Sequence, residues 1–265
     1  MKRLFKISLM PLIIFFIFIV SSCDRNDKKE YIGIVSALDN EIEILVNETE
    51  VERIDEIGGI DYIIGKLANK NVVIAKAGIG KIRSSSGITA MINNYNISKV
   101  LFTGVAGGIL DSEKILDVVV ATKLVEHDYG RIENSGFIWT KGDPGISKSE
   151  GDYYECDSKL VNLAYEIAQE VVGENHTFKG VIATGDQFVA NEEYVKKLEE
   201  DFDAYACEME GASIAVVCTN YDIPFVVIRT LSDKADGNAH ESYEEFADEA
   251  AKNSSLIVIK MLSSL

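Results

Sequence analysis

The sequence predicts an α/β fold, and three observations carry that reading. From Tyr31 onward, short β-rich runs alternate with segments of helical period. Hydrophobic residues make up 47% and charged residues 26% of the 265-residue chain, enough apolar content to bury a sizeable core and to exclude disorder. No internal repeat and no Pro-, Gly- or Ser-rich linker interrupts the region after residue 30, which therefore reads as one domain.

Tyr31–Ala37 (YIGIVSA) reads as the first strand, and Leu38–Glu48 as a helix with Ile42, Leu45 and Val46 on one face. Tyr62–Leu67 and Val72–Lys76 flank Ala68-Asn69-Lys70-Asn71 and read as a hairpin. Further strands are expected at Lys99–Thr103, Val118–Thr122, Lys179–Ala183 and Phe225–Arg229. Helices are expected near Lys81–Tyr95, Ser158–Val172, Gly211–Tyr221 and Tyr243–Leu262. This alternation builds a sheet covered by helices on both faces.

The charge pattern bears on partners. With 43 Asp+Glu against 26 Lys+Arg, the net charge of −17 leaves no basic surplus to neutralise phosphates, which argues against nucleic acid. Lys2, Arg3 and Lys6 precede an uncharged run over residues 7–20, the n-region and h-region of a secretory signal. At ~1.5 Å per residue that run reaches about 21 Å, short of the ~30 Å hydrocarbon core, so a cleaved signal is favoured over a membrane span. Val20-Ser21-Ser22-Cys23 and the polar run Asp24–Glu30 resemble the bacterial lipoprotein signal, in which the Cys becomes the lipidated first residue. The plainer alternative is an ordinary signal with an incidental Cys. The lipoprotein reading divides the chain into a signal peptide (1–22), a lipidated Cys23 with its tether (23–30) and a folded domain (31–265), exported and lipid-anchored to a bacterial membrane. Each buried acyl methylene contributes roughly 0.8 kcal/mol to such an anchor. Cys156, Cys207 and Cys218 remain, an odd set without close pairing, so no disulfide framework is expected. No C-x-x-C or H-E-x-x-H occurs, and no metal site is expected.

In α/β sheets, ligands bind beyond the carboxyl ends of the strands. Ala77-Gly78-Ile79-Gly80-Lys81 and Thr103-Gly104-Val105-Ala106-Gly107-Gly108 fall there, but neither completes a dinucleotide or phosphate-loop fingerprint. Taken alone, ordinary turn chemistry accounts for both. Glu41, Glu208, Glu210 and Asp233 also lie near strand ends, where an acid at a helix start is favoured electrostatically without any further role. Less ordinary is Arg229-Thr230-Leu231-Ser232-Asp233 at the end of a very apolar strand.

Together these clusters resemble the bacterial 5′-methylthioadenosine/S-adenosylhomocysteine nucleosidases of the purine nucleoside phosphorylase superfamily. The resemblance runs from Ile32 to about Leu262. It rests on Gly33–Glu41, Gly78-Ile79-Gly80-Lys81, Thr103–Gly108, Thr184-Gly185-Asp186-Gln187-Phe188, Cys207-Glu208-Met209-Glu210, Arg229–Asp233 and Ser242–Phe246, in order and in register. It implies a single-domain three-layer α/β/α nucleoside phosphorylase-like fold with a central mixed sheet. It also implies a homodimer, no cofactor, and hydrolysis of the N-glycosidic bond of methylthioadenosine, S-adenosylhomocysteine and 5′-deoxyadenosine, in methionine salvage and methyl-cycle detoxification.

By the same resemblance, Asp233 is the general acid toward adenine nitrogen 7, oriented by Ser232, and Glu41 is the base for the attacking water. Glu210 holds the ribose hydroxyls and Met209 packs on the sugar. Phe188 stacks on adenine, the Val189 backbone meets its edge, Gly107 lines the pocket, and Arg229 sits near the water and the carboxylates. Protonating a departing base while activating water on the opposite face parallels the paired carboxylates of inverting glycosidases. Asp233 then needs a raised pKa, from burial and like-charged neighbours. Two residues depart from the family pattern: Val105 stands where many relatives have Ser, and Tyr243 where Phe is common. The stretch Tyr129–Ser149 aligns poorly. In the family a partner-subunit residue from that region closes the 5′ pocket. Two other readings stay open, a phosphorylase using phosphate in place of water and a non-catalytic nucleoside-binding lipoprotein.

Overall fold

The computed structural model describes residues 29–139 and 153–265. The proposed signal peptide and Cys23 lie outside the described residues. The elements run β1 (Tyr31–Ser36), α1 (Asp39–Asn47), β2 (Glu50–Ile57), β3 (Ile60–Leu67), β4 (Lys70–Lys76), α2 (Lys81–Asn94), β5 (Ile97–Gly108), β6 (Val118–Glu126), β7 (Gly130–Glu133), β8 (Gly136–Trp139) and β9 (Tyr154–Glu155). They continue with α3 (Ser158–Val172), β10 (Thr177–Thr184), α4 (Glu192–Phe202), β11 (Ala204–Glu208), α5 (Gly211–Asn220), β12 (Phe225–Asp233) and α6 (Ala239–Ser264).

The central sheet is mixed, in the order β11-β10-β6-β12-β5-β1-β4-β3-β2. The parallel strands β1, β5 and β12 lie at its centre, and the antiparallel β2-β3-β4 meander forms one wing. Strand β11 also pairs antiparallel with the end of β5, through Cys207 opposite Gly107, so that β5, β12, β6, β10 and β11 close into a ring. Helices α1 and α3 pack on α6, which lies against β5 and β12; α2 packs on α5, which lies against β6 and β10. These are the two helical layers that alternation implied.

All nine residues of β12 are buried, and Val226, Val227 and Ile228 have no exposed surface. Burying a side chain of this size is worth about 1.5–3 kcal/mol, so apolar runs dictate the central strands. Helix α3 occupies the predicted residues, with Asp157 Oδ1 accepting from the Lys159 and Leu160 N–H groups at its start and Gly173 at its end.

Three boundaries differ from expectation in ways that matter for the site. Strand β5 does not stop at Thr103 but runs through the glycine cluster to Gly108, and β12 runs past Arg229 to Asp233. Helix α6 begins at Ala239, one turn before Tyr243, so His240 lies in the helix three residues before Tyr243 and on the same face. The second glycine cluster is therefore not a turn.

Candidate active site

A cavity of about 460 Å³ opens where β5, β11 and β12 end and where α1, α5 and α6 begin. Among the sequence-predicted site residues, Glu41, Gly107, Phe188, Val189, Met209, Glu210, Ser232, Asp233 and Tyr243 line it. Arg229 does not. It lies wholly buried behind the wall, and Val105, Glu208 and His240 are among the other residues that line the cavity.

Glu41 is fixed by the backbone. Its position in the first turn of α1 lets Oε2 accept from the Ala37 and Leu38 N–H groups, each at 2.9 Å, as in half of a capping box. Its Oε1 accepts from the Val105 N–H at 2.9 Å. The Val105 side chain brings no hydroxyl, but its amide supplies this third bond. Ser255 of α6 donates to the Glu41 carbonyl at 3.1 Å, and Ser254 to the Gly104 carbonyl at 2.9 Å, tying helix to strand behind the carboxylate. Burial pushes the Glu41 carboxyl above its ordinary value, against the opposing pull of Arg229 and the three amides.

Arg229 pairs with two acids from the β11–α5 corner. One Nη2 donates to Glu208 Oε2 and to Glu210 Oε2, the latter at 3.2 Å. Its guanidinium also lies 4.3 Å from the centre of the Phe102 ring. Glu208 is further bound by the Thr184 hydroxyl and by the Glu210 and Gly211 N–H groups. Glu210 turns its other oxygen to the Gly80 N–H at 2.9 Å. Glu41, Glu208 and Glu210 thus share one guanidinium, and burial with like-charged neighbours pushes Glu210 up to about 7. Gly104 is required by this packing, because a Cβ there would overlap both Arg229 Nη1 and Glu41 Oε1. The glycines of β5 make room for neighbouring side chains.

Asp233 occupies the other side. Its Oδ2 accepts from Ser232 Oγ at 2.9 Å and its Oδ1 from the Ala235 N–H at 2.8 Å. Burial raises its pKa and Asp236 adds to the rise, while the hydrogen bonds from the Ala235 N–H and Ser232, and the nearby His240, oppose it. A Cβ at Gly107 would come within 2.9 Å of Asp233 Oδ1, so Gly107 leaves this carboxyl its place. At the mouth, Phe188 is 42% exposed, stacks on His240 at 4.8 Å and meets Tyr243 edge-on at 5.9 Å.

Beside Asp233, Lys234 Nζ donates to the Leu110 and Glu113 carbonyls. Glu113 Oε2 accepts from the Ile109 and Leu110 N–H groups, its Oε1 has no partner, and burial pushes the group up to about 7 from 4.5. The folded state therefore holds this proton more tightly than the unfolded chain does. Stability should fall as pH rises from about 4.5 through about 7, by a few kcal/mol for this group. In Glu113→Gln, which keeps the accepting oxygen and cannot ionise, thermal unfolding from pH 5 to 8 should show a shallower loss. Equal slopes in the two proteins would refute this.

Residues 31–263 match the family profile described as "Phosphorylase superfamily". The chain is 36% identical over 235 residues to the 5′-methylthioadenosine/S-adenosylhomocysteine nucleosidase of Shewanella pealeana, covering 88% of this chain and 99% of the relative. The chain belongs to this nucleosidase family. Among solved nucleosidases, that of Neisseria meningitidis in complex with methylthio-immucillin-A superposes with a TM-score of 0.80 at 32% identity, over 89% of this chain and 100% of that one. The Helicobacter pylori futalosine hydrolase superposes with a TM-score of 0.77 at 35% identity, over 89% and 98%. The mixed three-layer sheet is the nucleoside phosphorylase-like fold of these relatives.

Two participants escaped the sequence reading. Glu208 was visible only as part of a motif, although an arginine inside an apolar strand demands buried counter-charges, and an acid two residues from Glu210 is the natural supplier. His240 gave no signal, since only the early start of α6 brings it onto Phe188. Among the described residues no cluster of His, Cys, Asp or Glu is arranged to hold a metal ion.

Proposed function

We propose that this protein hydrolyses the N-glycosidic bond of 5′-methylthioadenosine and S-adenosylhomocysteine. One observation carries the reading over phosphorolysis: Glu41, Glu208, Glu210 and Asp233 line the cavity, and among the described residues no Lys or Arg does. A phosphate dianion entering there would face carboxylates without a cation to hold it. Water meets no such barrier.

In this reading, adenine lies against Phe188 with its edge at the Val189 backbone, and the ribose hydroxyls meet Glu210 beside Met209. Asp233 delivers its proton to nitrogen 7 as the bond from the base to the sugar carbon breaks, and the bonding pair leaves with the base. Water adds to that carbon and gives its proton to Glu41, whose elevated pKa makes it a stronger base. Arg229 acts from behind the wall, holding Glu208 and Glu210 in place. Tyr243 also lines the cavity, and this reading puts it on the side of the 5′ substituent.

Purified protein should release free adenine from methylthioadenosine in phosphate-free buffer. A requirement for phosphate, with a ribose-1-phosphate product, would give the reaction to the phosphorylase class. Bound nucleoside without turnover would favour a non-catalytic binding protein.

Two further features belong to this proposal. A homodimer would let a partner subunit close the 5′ pocket, and the exposed β7–β8 hairpin, with Ile132 86% exposed, supports such an association. The sequence Val20-Ser21-Ser22-Cys23 supports export and lipid anchoring. Cys23→Ala should then convert a detergent-partitioning protein into a soluble or unprocessed one. Unchanged partitioning and no acyl label on the wild type would exclude the anchor.

A further inference from the structure

The start of α2 is held by two carboxylates, Glu210, which lines the cavity, and Asp186, which directly precedes the lining residues Gln187 and Phe188. Its N-cap residue, Gly80, has no side chain to cap the helix, and its φ of +93° suits glycine. The vacant capping role is divided. The Gly80 N–H goes to Glu210 Oε1 at 2.9 Å, and the Lys81 N–H goes to Asp186 Oδ1 at 2.8 Å. Asp186 stands two residues before Phe188, on the segment that the proposed function assigns to the base, and Glu210 is the carboxylate it assigns to the sugar. One helix terminus, with its favourable dipole for anions, therefore joins the two segments.

The Lys81 side chain completes a closed circuit. Lys81 Nζ donates to Asp128 Oδ1 at 2.6 Å and to Glu126 Oε1 at 3.1 Å, and Asp128 Oδ2 accepts from the Asp186 N–H at 2.8 Å. Lys81 and Asp128 expose only 17% and 14% of their side chains, so water screens this pair less than a surface pair. Next to it, a Cβ on Gly185 would overlap the His127 ring, which shows how closely the base-side segment is laid on β6.

We propose that Lys81, Asp128 and Asp186 are positioning residues that register the base-binding segment against the sugar-binding carboxylate. The proposal rests on the nucleosidase reading of the cavity for its substrate. It assigns these residues no contact with that substrate. Loss of the Lys81 side chain should leave the proton-transfer groups in place and let the Phe188 segment drift.

The test uses the full chain with Lys81→Met, Asp128→Asn and Lys81→Arg. Lys81→Met and Asp128→Asn should raise KM for methylthioadenosine, and Kd for adenine by calorimetry, by about ten- to a hundredfold. Their kcat should stay within about threefold and the pH profile of kcat should not move. The double variant should be little worse than either single one, because both break one circuit. Lys81→Arg, which can still donate to both acids, should recover most of the affinity. A lower melting temperature with unchanged KM and adenine Kd would show a structural role only and overturn the proposal. Adenine binding by the wild type without turnover would overturn the hydrolase reading alone, leaving the adenine Kd series to decide this one. A wild type that binds no adenine would overturn both.

Discussion

Asp233→Asn should lower kcat by about 10²–10⁴-fold while leaving the affinity for adenine-containing inhibitors nearly unchanged. The asparagine can still accept from Ser232 or from the Ala235 N–H, the two bonds that orient the native carboxyl. What it lacks is a proton to deliver. The raised pKa of Asp233 keeps that proton bound at higher pH than an exposed aspartate would. Activity of the wild type should fall on the alkaline side as Asp233 ionises, and the residual rate of the variant should lose that limb. Near-wild-type turnover in Asp233→Asn would overturn the mechanism. If these were ordinary surface acids, substitution would change stability by no more than about 0.5 kcal/mol and leave turnover intact.

Glu41→Gln should cost a comparable factor in kcat and, in contrast to Asp233→Asn, lower stability as well. Both oxygens of Glu41 accept from amides, so a glutamine must turn its NH₂ toward at least one N–H donor. An unsatisfied buried donor costs about 1–3 kcal/mol. Phe188 and Val189, assigned to adenine in the proposed function, make no hydrogen bond to Glu41, and adenine binding should persist within a few-fold. The measurements are kcat, adenine Kd and the denaturant midpoint. Full activity in Glu41→Gln would remove Glu41 as the base, and a large loss of adenine binding would show a general collapse of the cavity instead.

The central strands and the longer helices were legible because their sequences repeat apolar residues with the right period. Strand β2 (EVERIDEI) was not, since it is an edge strand with most residues exposed and no buried face to write into the sequence. Helix α4 was missed although Asn191 caps it, because its few buried positions, Val195, Leu198 and Phe202, are sparse among charges. The expected strand ends at Arg229; Thr230, Ser232 and Asp233 extend it because each finds a buried partner. The carboxylates were found as members of motifs. Their division into one group around Arg229 and another around Asp233 depends on strands far apart in the chain.

The pairing of β11 with β5 has a consequence for how the protein reaches its native state. It places Cys207 opposite Gly107 and Ala206 opposite Gly108, residues about a hundred positions apart, and it shuts the ring of strands around the cavity. Bringing such distant segments together demands a large loop closure before any contact rewards it. Glu41 comes from before that loop, Asp233 from after it, Glu208 from the strand that closes it and Glu210 from just beyond that strand. Partly folded forms that keep the β1–β5 half of the sheet would hold Glu41 on its amides with no opposing acid. Catalytic competence should thus emerge late, as the ring shuts, and be among the first properties lost when that single seam opens.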